Sequence, residues 1–274
     1  MTPEMNNFRL IALDLDGTLT NEEKVITPKT YATLLDLQRN GVKLCLASGR
    51  PPYGMLPLAH HLHMEEYGGV VMAYNGGFVM DCATRNVIYE LTLSPSLLPR
   101  LHAFQEQSGM TLMTYHSDTI YTEHPSDPYV AISSRNNNMR IEGVSDFVHD
   151  IPLPVHKCLM VGDPSKVPYW EHVMQESFGS EMNIMRSTPY FIELLPPCIE
   201  KGTALSAIAS LLSIDMSDTI AFGDSYNDIS MLRAAGIGVA MENADASVKE
   251  AADIVTGSNE ADGVAQCLLS LVKK

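Results

Sequence analysis

The chain has 274 residues, 45% hydrophobic and 19% charged, with 33 acidic against 18 basic side chains and a formal net charge of −15. Length and composition describe one large or two smaller globular domains with a substantial core, and exclude a disordered chain. No basic run relieves the negative charge, so neither nucleic acid nor anionic membrane is an expected partner, since both reward Lys/Arg patches.

Cys45, Cys82, Cys158, Cys198 and Cys267 are odd in number, scattered and without a CxxC pair. They read as reduced, mostly buried thiols of a cytoplasmic protein. Residues 1–8 carry neither a basic region nor a long apolar one, so no export signal is expected there. No apolar stretch approaches the ~20 residues of a bilayer span.

The first expected strand, residues 10–13, runs into Asp14-Leu15-Asp16-Gly17-Thr18. Thr27-Pro28 offers a helix N-cap followed by Pro at the first helical position, Tyr31, Leu34 and Leu35 give a helical stripe, and Gly41 stops it. Residues 42–47 form the next strand and end at Ser48-Gly49-Arg50, and residues 70–73 form a third that ends at Asn75-Gly76-Gly77. Successive βαβ units imply a parallel sheet whose ligand groups collect at the carboxyl ends of the strands, where Asp14, Asp16 and Ser48 fall.

The pattern changes between about residues 84 and 195. Strand signals over 120–123, 156–161 and 190–194 alternate more, and turns such as Asn136-Asn137-Asn138 are richer in polar residues. With helices near 95–107 and 168–178, this is an expected α+β domain with a partly antiparallel sheet. Pro196-Pro197 is the expected hinge. The α/β pattern then resumes: helix 203–212, strand 219–222 with its Gly223-Asp224 turn, helix 228–235, strand 237–240, helix 246–252, strand 254–255 and helix 263–272. The expected fold is thus a Rossmann-like α/β core, residues 1–83 and 196–274, split by an inserted α+β cap, residues 84–195.

Two carboxylate clusters, Asp14/Asp16 and Asp224/Asp228, each follow a buried-strand pattern, which suits a hard divalent cation at a sheet edge. Phosphate monoesters hydrolyse among the slowest of reactions, and a site for them needs a nucleophile, an acid for the leaving alkoxide and positive charge on the phosphoryl oxygens. Asp14 is the candidate nucleophile, Asp16 the acid, Asp224 a ligand to Mg2+, and Ser48 and Lys201 donors to the phosphoryl group. Without a metal, a carboxylate and a phosphate charge ~4 Å apart repel by ~4 kcal/mol at an effective dielectric of ~20.

Asp14-Leu15-Asp16-Gly17-Thr18, Ala47-Ser48-Gly49-Arg50, Lys201-Gly202-Thr203 and Gly223-Asp224-Ser225-Tyr226-Asn227-Asp228, in this order, resemble the four motifs of the haloacid dehalogenase superfamily of phosphatases. About thirty residues separate Asp16 from Ser48 and about 150 separate Ser48 from Lys201, so the cap lies between the second and third motifs, as in the Cof-type branch. Asn75-Gly76-Gly77, Tyr190-Phe191-Ile192-Glu193 and the stretch from Gly238 to Asn243 also resemble that branch, nearest to bacterial sugar-phosphate phosphatases. Cys198-Ile199-Glu200 departs from it, and Glu200 sets a negative charge beside Lys201 in sequence.

The resemblance implies an aspartyl-phosphate on Asp14, with Asp16 as general acid and then base. It implies Mg2+ on the Asp14 carboxylate, the Asp16 main-chain carbonyl and Asp224, with Asp228 supporting the metal or Lys201 from behind. Gly49 follows Ser48 in the phosphate-binding motif, Asn227 matches a substrate-binding position, and Arg50 either contacts substrate or braces the core. The substrate is expected to be a small phosphorylated metabolite, a sugar phosphate first. Alternatives are a cofactor phosphate, phosphoryl transfer to a second sugar as in a mutase, or a non-enzymatic phospho-ligand sensor. His60, His61 and His63 read as a solvated helix end, the methionines as pliable core, and Tyr115, His116, Asp118 and Tyr190 as candidates for specificity in the cap.

Overall fold

A computed structural model describes residues 8–272. The segment expected to lack an export signal falls outside the described residues but for Phe8. In chain order the strands and α-helices are β1 (Leu10–Leu13), α1 (Pro28–Arg39), β2 (Lys43–Ala47), α2 (Pro52–His61), α3 (Met64–Tyr67), β3 (Val70–Ala73), β4 (Phe78–Asp81) and β5 (Val87–Glu90). Then come α4 (Leu98–Ser108), β6 (Thr111–His116), β7 (Thr119–Thr122), α5 (Pro128–Asn137), β8 (Arg140–Gly143), β9 (Cys158–Val161), α6 (Val167–Phe178), β10 (Asn183–Thr188) and β11 (Phe191–Leu195). The last are α7 (Lys201–Leu211), β12 (Thr219–Gly223), α8 (Ile229–Ala234), β13 (Ile237–Ala240), α9 (Ala246–Ala251), β14 (Ile254–Val255) and α10 (Gly263–Val272).

The chain folds as two compact units, residues 1–49, 55–89 and 200–274 in the first, and residues 50–54 and 90–199 in the second. The first holds an eight-stranded sheet of order β14-β13-β12-β1-β2-β3-β4-β5, parallel from β14 to β3 and antiparallel between β3 and β4. Every residue of β1 is fully buried, so both faces of this central strand are apolar, as a strand covered by helices on both sides requires. Leu10 and Ala12 pack with Leu205 and Ile208 of α7 and Met231 and Leu232 of α8 in one apolar cluster. Ile11 and Leu13 point to the opposite face by the two-residue period. The unit runs to residue 89 rather than the expected 83 because β4 and β5 extend its sheet.

The second unit holds a six-stranded sheet of order β10-β11-β9-β6-β7-β8, antiparallel except between β7 and β8. One face, with Leu112, Cys158, Met160, Ile192 and Leu194, packs with Leu101 and Phe104 of α4 and Val167 and Met174 of α6.

Two local expectations are corrected. The Asn136-Asn137-Asn138 run is the close of a helix rather than a turn between strands: α5 is capped by Asp127, whose side chain accepts from Tyr129 N–H, and it ends at Asn138 in left-handed backbone. Thr27 precedes α1 but its hydroxyl donates to Asp262 instead of capping the helix. The histidines around the end of α2 are solvated as expected, His60 paired with Glu65 and His63 with Glu66. His61 stacks on Tyr31, with ring centroids 4.7 Å apart.

Candidate active site

Parallel pairing decides which loops meet. Leu13 lies level with Phe222 of β12 and Leu46 of β2, so the residues that follow these three share one edge of the sheet. They are Asp14, then Gly223 and Asp224, then Ala47 and Ser48. Asp14 N–H donates to the Phe222 carbonyl at 3.1 Å, which holds the chain in register past the end of the strand. Gly17 turns the chain with φ +88°, a left-handed value that glycine adopts without steric cost. A Cβ there would also lie 2.5 Å from Asp224 Oδ2, so the loop admits no side chain. Thr18 Oγ1 donates to Asp224 Oδ1 at 2.7 Å and links the first and fourth motifs.

Lys201 is the hub. It opens α7 and is 1% exposed, whereas its neighbour Glu200 points to solvent, which answers the charge conflict read in the sequence. Its ammonium donates to Asp14 Oδ1 at 2.6 Å, Asp228 Oδ1 at 2.6 Å and the Ala47 carbonyl at 3.1 Å. These three bonds engage all three protons of the ammonium. Burial disfavours the Lys201 charge, but the two carboxylates outweigh it and hold its pKa above the ordinary value. Asp14 is raised well above the ordinary carboxylate range by burial and by the charge of Asp228, with Lys201 only partly offsetting them. Asp224 is raised by burial, against the hydrogen bond from Thr18. Three clustered carboxylates and the one ammonium that Asp14 and Asp228 share leave two negative charges when all are ionised.

Carboxylate oxygens of Asp14, Asp224 and Asp228 lie within 4.8 Å of one another. A compact set of hard oxygen donors with excess negative charge fits Mg2+. Asp228 is the least available of the three: its Oδ1 takes Lys201, and its Oδ2 takes the N–H groups of Asp224 at 3.1 Å and Ser225 at 2.9 Å. It braces Lys201 and the Asp224 loop, while Asp14 and Asp224 face the shared space.

Asp16, more exposed, pairs with Lys24 at 2.8 Å. Ser48 is buried, with its N–H on the Met72 carbonyl. Asn227 donates from Nδ2 to Asn75 Oδ1 at 2.8 Å. The structure therefore brings Asp14, Asp16, Ser48, Gly49, Lys201, Asp224, Asn227 and Asp228 into the first unit, whereas Arg50 groups with the second. Thr18, Lys24, Asn75 and Asn243, whose Nδ2 donates to the Gly17 carbonyl, received no role from the sequence. Thr18, Asn75 and Asn243 sit inside recognised motifs, which was the available signal.

In the second unit Tyr115 is buried, its hydroxyl bonds Ser133, and burial pushes its phenol up. Asp118 is held low by its hydrogen bonds from Arg140. Tyr190 stacks on Tyr129, and His116 is half-buried at the end of β6. A cleft of about 620 Å³, lined by Gln105, Glu106, Glu123 and His124 among others, contains none of the motif residues.

Comparison with known proteins agrees with this geometry. The haloacid dehalogenase-like hydrolase family matches residues 11–268. The crystal structure of a haloacid dehalogenase-like hydrolase from Bacteroides thetaiotaomicron is 42% identical, with a TM-score of 0.93 over 96% of this chain and 99% of that one. The chain is 29% identical over 264 residues to the Bacillus subtilis 5-amino-6-(5-phospho-D-ribitylamino)uracil phosphatase YcsE, covering 96% of this chain and 95% of that protein. It is 28% identical over 284 residues to the Escherichia coli pyridoxal phosphate phosphatase YbhA, covering 96% and 98%. With a match of this extent and a core of this topology, the chain belongs to the haloacid dehalogenase-like hydrolases, as a phosphoric monoester hydrolase among them.

Proposed function

We propose that this phosphatase hydrolyses small phosphomonoesters, sugar phosphates first among them, through an aspartyl-phosphate on Asp14 and with Mg2+ as cofactor. The observation that carries the reading is the buried Lys201, whose ammonium orients Asp14 at 2.6 Å at the edge where three carboxylates converge. In this reading Asp14 attacks phosphorus, the bond from phosphorus to the leaving oxygen breaks, and Asp16 gives that oxygen its proton. Asp16 then takes a proton from the water that attacks the aspartyl-phosphate, releasing inorganic phosphate and restoring Asp14. The Ser48 hydroxyl, the Gly49 N–H and Lys201 hold phosphoryl oxygens, and Asn227 contacts the substrate. Lys24, which pairs with Asp16 and is 59% exposed at its side chain, keeps its charge in contact with water when Asp16 is protonated. Asp14, Asp224 and the Asp16 carbonyl would hold Mg2+, which would supply the positive charge that lets an anionic nucleophile meet a phosphate dianion.

In the same reading residues 50–54 and 90–199 serve as the cap that selects the leaving group, with His116 and Tyr190 as its specificity candidates and Arg50 reaching the substrate. A second reading, a phosphorylated cofactor or its precursor as substrate, is favoured by the activities for which YcsE and YbhA are named. We place the protein in the cytoplasm because its five cysteines are all unpaired and four are buried. Among the described residues no helix is long and apolar enough to cross a membrane.

Phosphate release from a panel of sugar and cofactor phosphates, with water as the only acceptor, tests the reading and separates hydrolysis from phosphoryl transfer. Asp14→Asn should abolish turnover in a folded chain, because an amide is a poor nucleophile, and Asp16→Asn should disable it by removing the proton donor. EDTA should stop the reaction and Mg2+ restore it. Parental turnover by folded Asp14→Asn would overturn the mechanism.

A further inference from the structure

Three consecutive residues just beyond β3 take left-handed backbone: Tyr74 (φ 52°), Asn75 (φ 58°) and Gly76 (φ 99°). Two non-glycine residues in a row at such values cost of order 1 kcal/mol each or more, and persist only where the surroundings over-determine them. Here the surroundings are all parts of the catalytic edge. Asn75 is 6% exposed, and its N–H donates to the Ser48 carbonyl at 2.9 Å. Its side-chain Oδ1 accepts from Asn227 Nδ2 at 2.8 Å. Gly49 lies against the same amide, since a Cβ on Gly49 would be 3.2 Å from Asn75 Oδ1. Gly76 approaches the start of α7 so closely that a Cβ would sit 2.9 Å from the Glu200 carbonyl and 2.8 Å from Ala204 Cβ. One buried turn therefore touches the Ser48-Gly49 loop, the Asn227 loop and the helix start that carries Lys201.

We propose that Asn75 is a positioning residue: it fixes Asn227 against the Ser48-Gly49 loop and so sets the shape of the phosphoryl cradle. The inference rests on the phosphatase reading given above and assigns Asn75 no contact with the reacting atoms. It explains why the chain tolerates left-handed backbone at a non-glycine here. Glycine would relieve the strain but would remove the amide that holds Asn227. Asn is also among the side chains that enter the left-handed region most readily.

A double-mutant cycle on the full chain, with p-nitrophenyl phosphate as substrate, tests this. Asn75→Gly keeps the backbone conformation and deletes the amide, so kcat/KM should fall about 10- to 100-fold, the scale of a misplacement approaching 1 Å, while the melting temperature stays close to the parent's. Asn227→Ala should fall similarly, and the double variant should be no worse than the worse single, because the two act as one unit. Multiplicative losses, or parental kcat/KM in Asn75→Gly, would overturn the proposal. Should Asn75→Gly not fold, Asn75→Asp decides. It keeps an oxygen facing Asn227 and tolerates left-handed backbone, but sets a charge beside the cradle, so KM should rise about tenfold or more with kcat changed less. An unchanged KM there would overturn it equally. Asp14→Asn run alongside keeps the two readings apart: hydrolysis by that variant sinks the phosphatase mechanism, whereas a dead Asp14→Asn with an uncoupled 75/227 cycle sinks only the role of Asn75.

Discussion

Asp14 and Asp228 share one buried ammonium and Asp224 lies close beside them, and this sets how the site responds to pH and to metal. Because Asp14 and Asp224 have raised pKa values in the folded chain, the folded state retains protons that the unfolded chain has released. Their contribution to stability is complete below the ordinary carboxylate range and is lost as pH rises through the raised values. Divalent cations bind the ionised form and oppose that loss. In EDTA the melting temperature should therefore decline as pH rises above the carboxylate range, and the gain from added Mg2+ should widen over the same window. A gain independent of pH would refute this. Asp224→Asn removes one of the crowded charges and keeps an oxygen for Thr18, so in metal-free buffer it should be more stable than the parent by about 0.5–2 kcal/mol. It should also be inactive and indifferent to Mg2+, measurable by urea unfolding with and without the metal. The carboxylates were legible in the sequence because each follows an apolar strand. The support of Lys201 by Asp228 was one of two roles the resemblance implied, whereas the bond from that ammonium to Asp14 was not foreseen, since the two side chains approach only after some two hundred residues have folded.

At the scale of elements, α7 carries the site on its first residue and the core on the rest of one face. Lys201, Ala204, Leu205, Ile208 and Ala209 are buried, the helical i, i+3, i+4 spacing. Leu205→Ala should cost about 2–5 kcal/mol, as a cavity in a filled core does, and should reduce activity as well, because Lys201 stands one turn away on the same face. Exposed Ser210→Ala should stay within about 0.5 kcal/mol of the parent. Denaturant unfolding with parallel assays checks both, and a neutral Leu205→Ala would contradict this packing. Most other elements of the first unit were legible from their apolar periods. The start of α2, the short α3 and the β4–β5 hairpin were not, nor was α5 in the second unit. In α2 the sequence showed only the solvated end at His60 and His61, because the internal Pro57 disfavours a helix, yet the helix runs from Pro52 to His61. In α5, the Asn run and its low helix propensity masked an Asp127-Pro128 start of the same kind that marked α1. The strands β4 and β5 lie where no periodicity was assigned.

At the scale of the whole molecule, the central place of β1 between β2 and β12 lets motifs so distant in sequence share one edge. The rule that ligand groups gather at the carboxyl ends of parallel strands made this much foreseeable. The boundary at 89/90 was less so, because β5 joins the sheet of the first unit without a change in composition to mark it. Each unit has its own apolar cluster, so a single unfolding free energy does not describe the chain. Each also encloses one lysine that solvent scarcely reaches: Lys201 in the first, 0% exposed at its side chain, and Lys157 in the second, 4% exposed and paired with Glu193 at 2.8 Å. An amine-acylating reagent can modify either only when its surroundings open, while Lys24 reacts from the start. The two side chains are built-in chemical clocks, one per unit, read by peptide mass. With Mg2+ present the Lys201 clock should slow and the Lys157 clock keep its rate, and equal slowing of both would mean that the units open together.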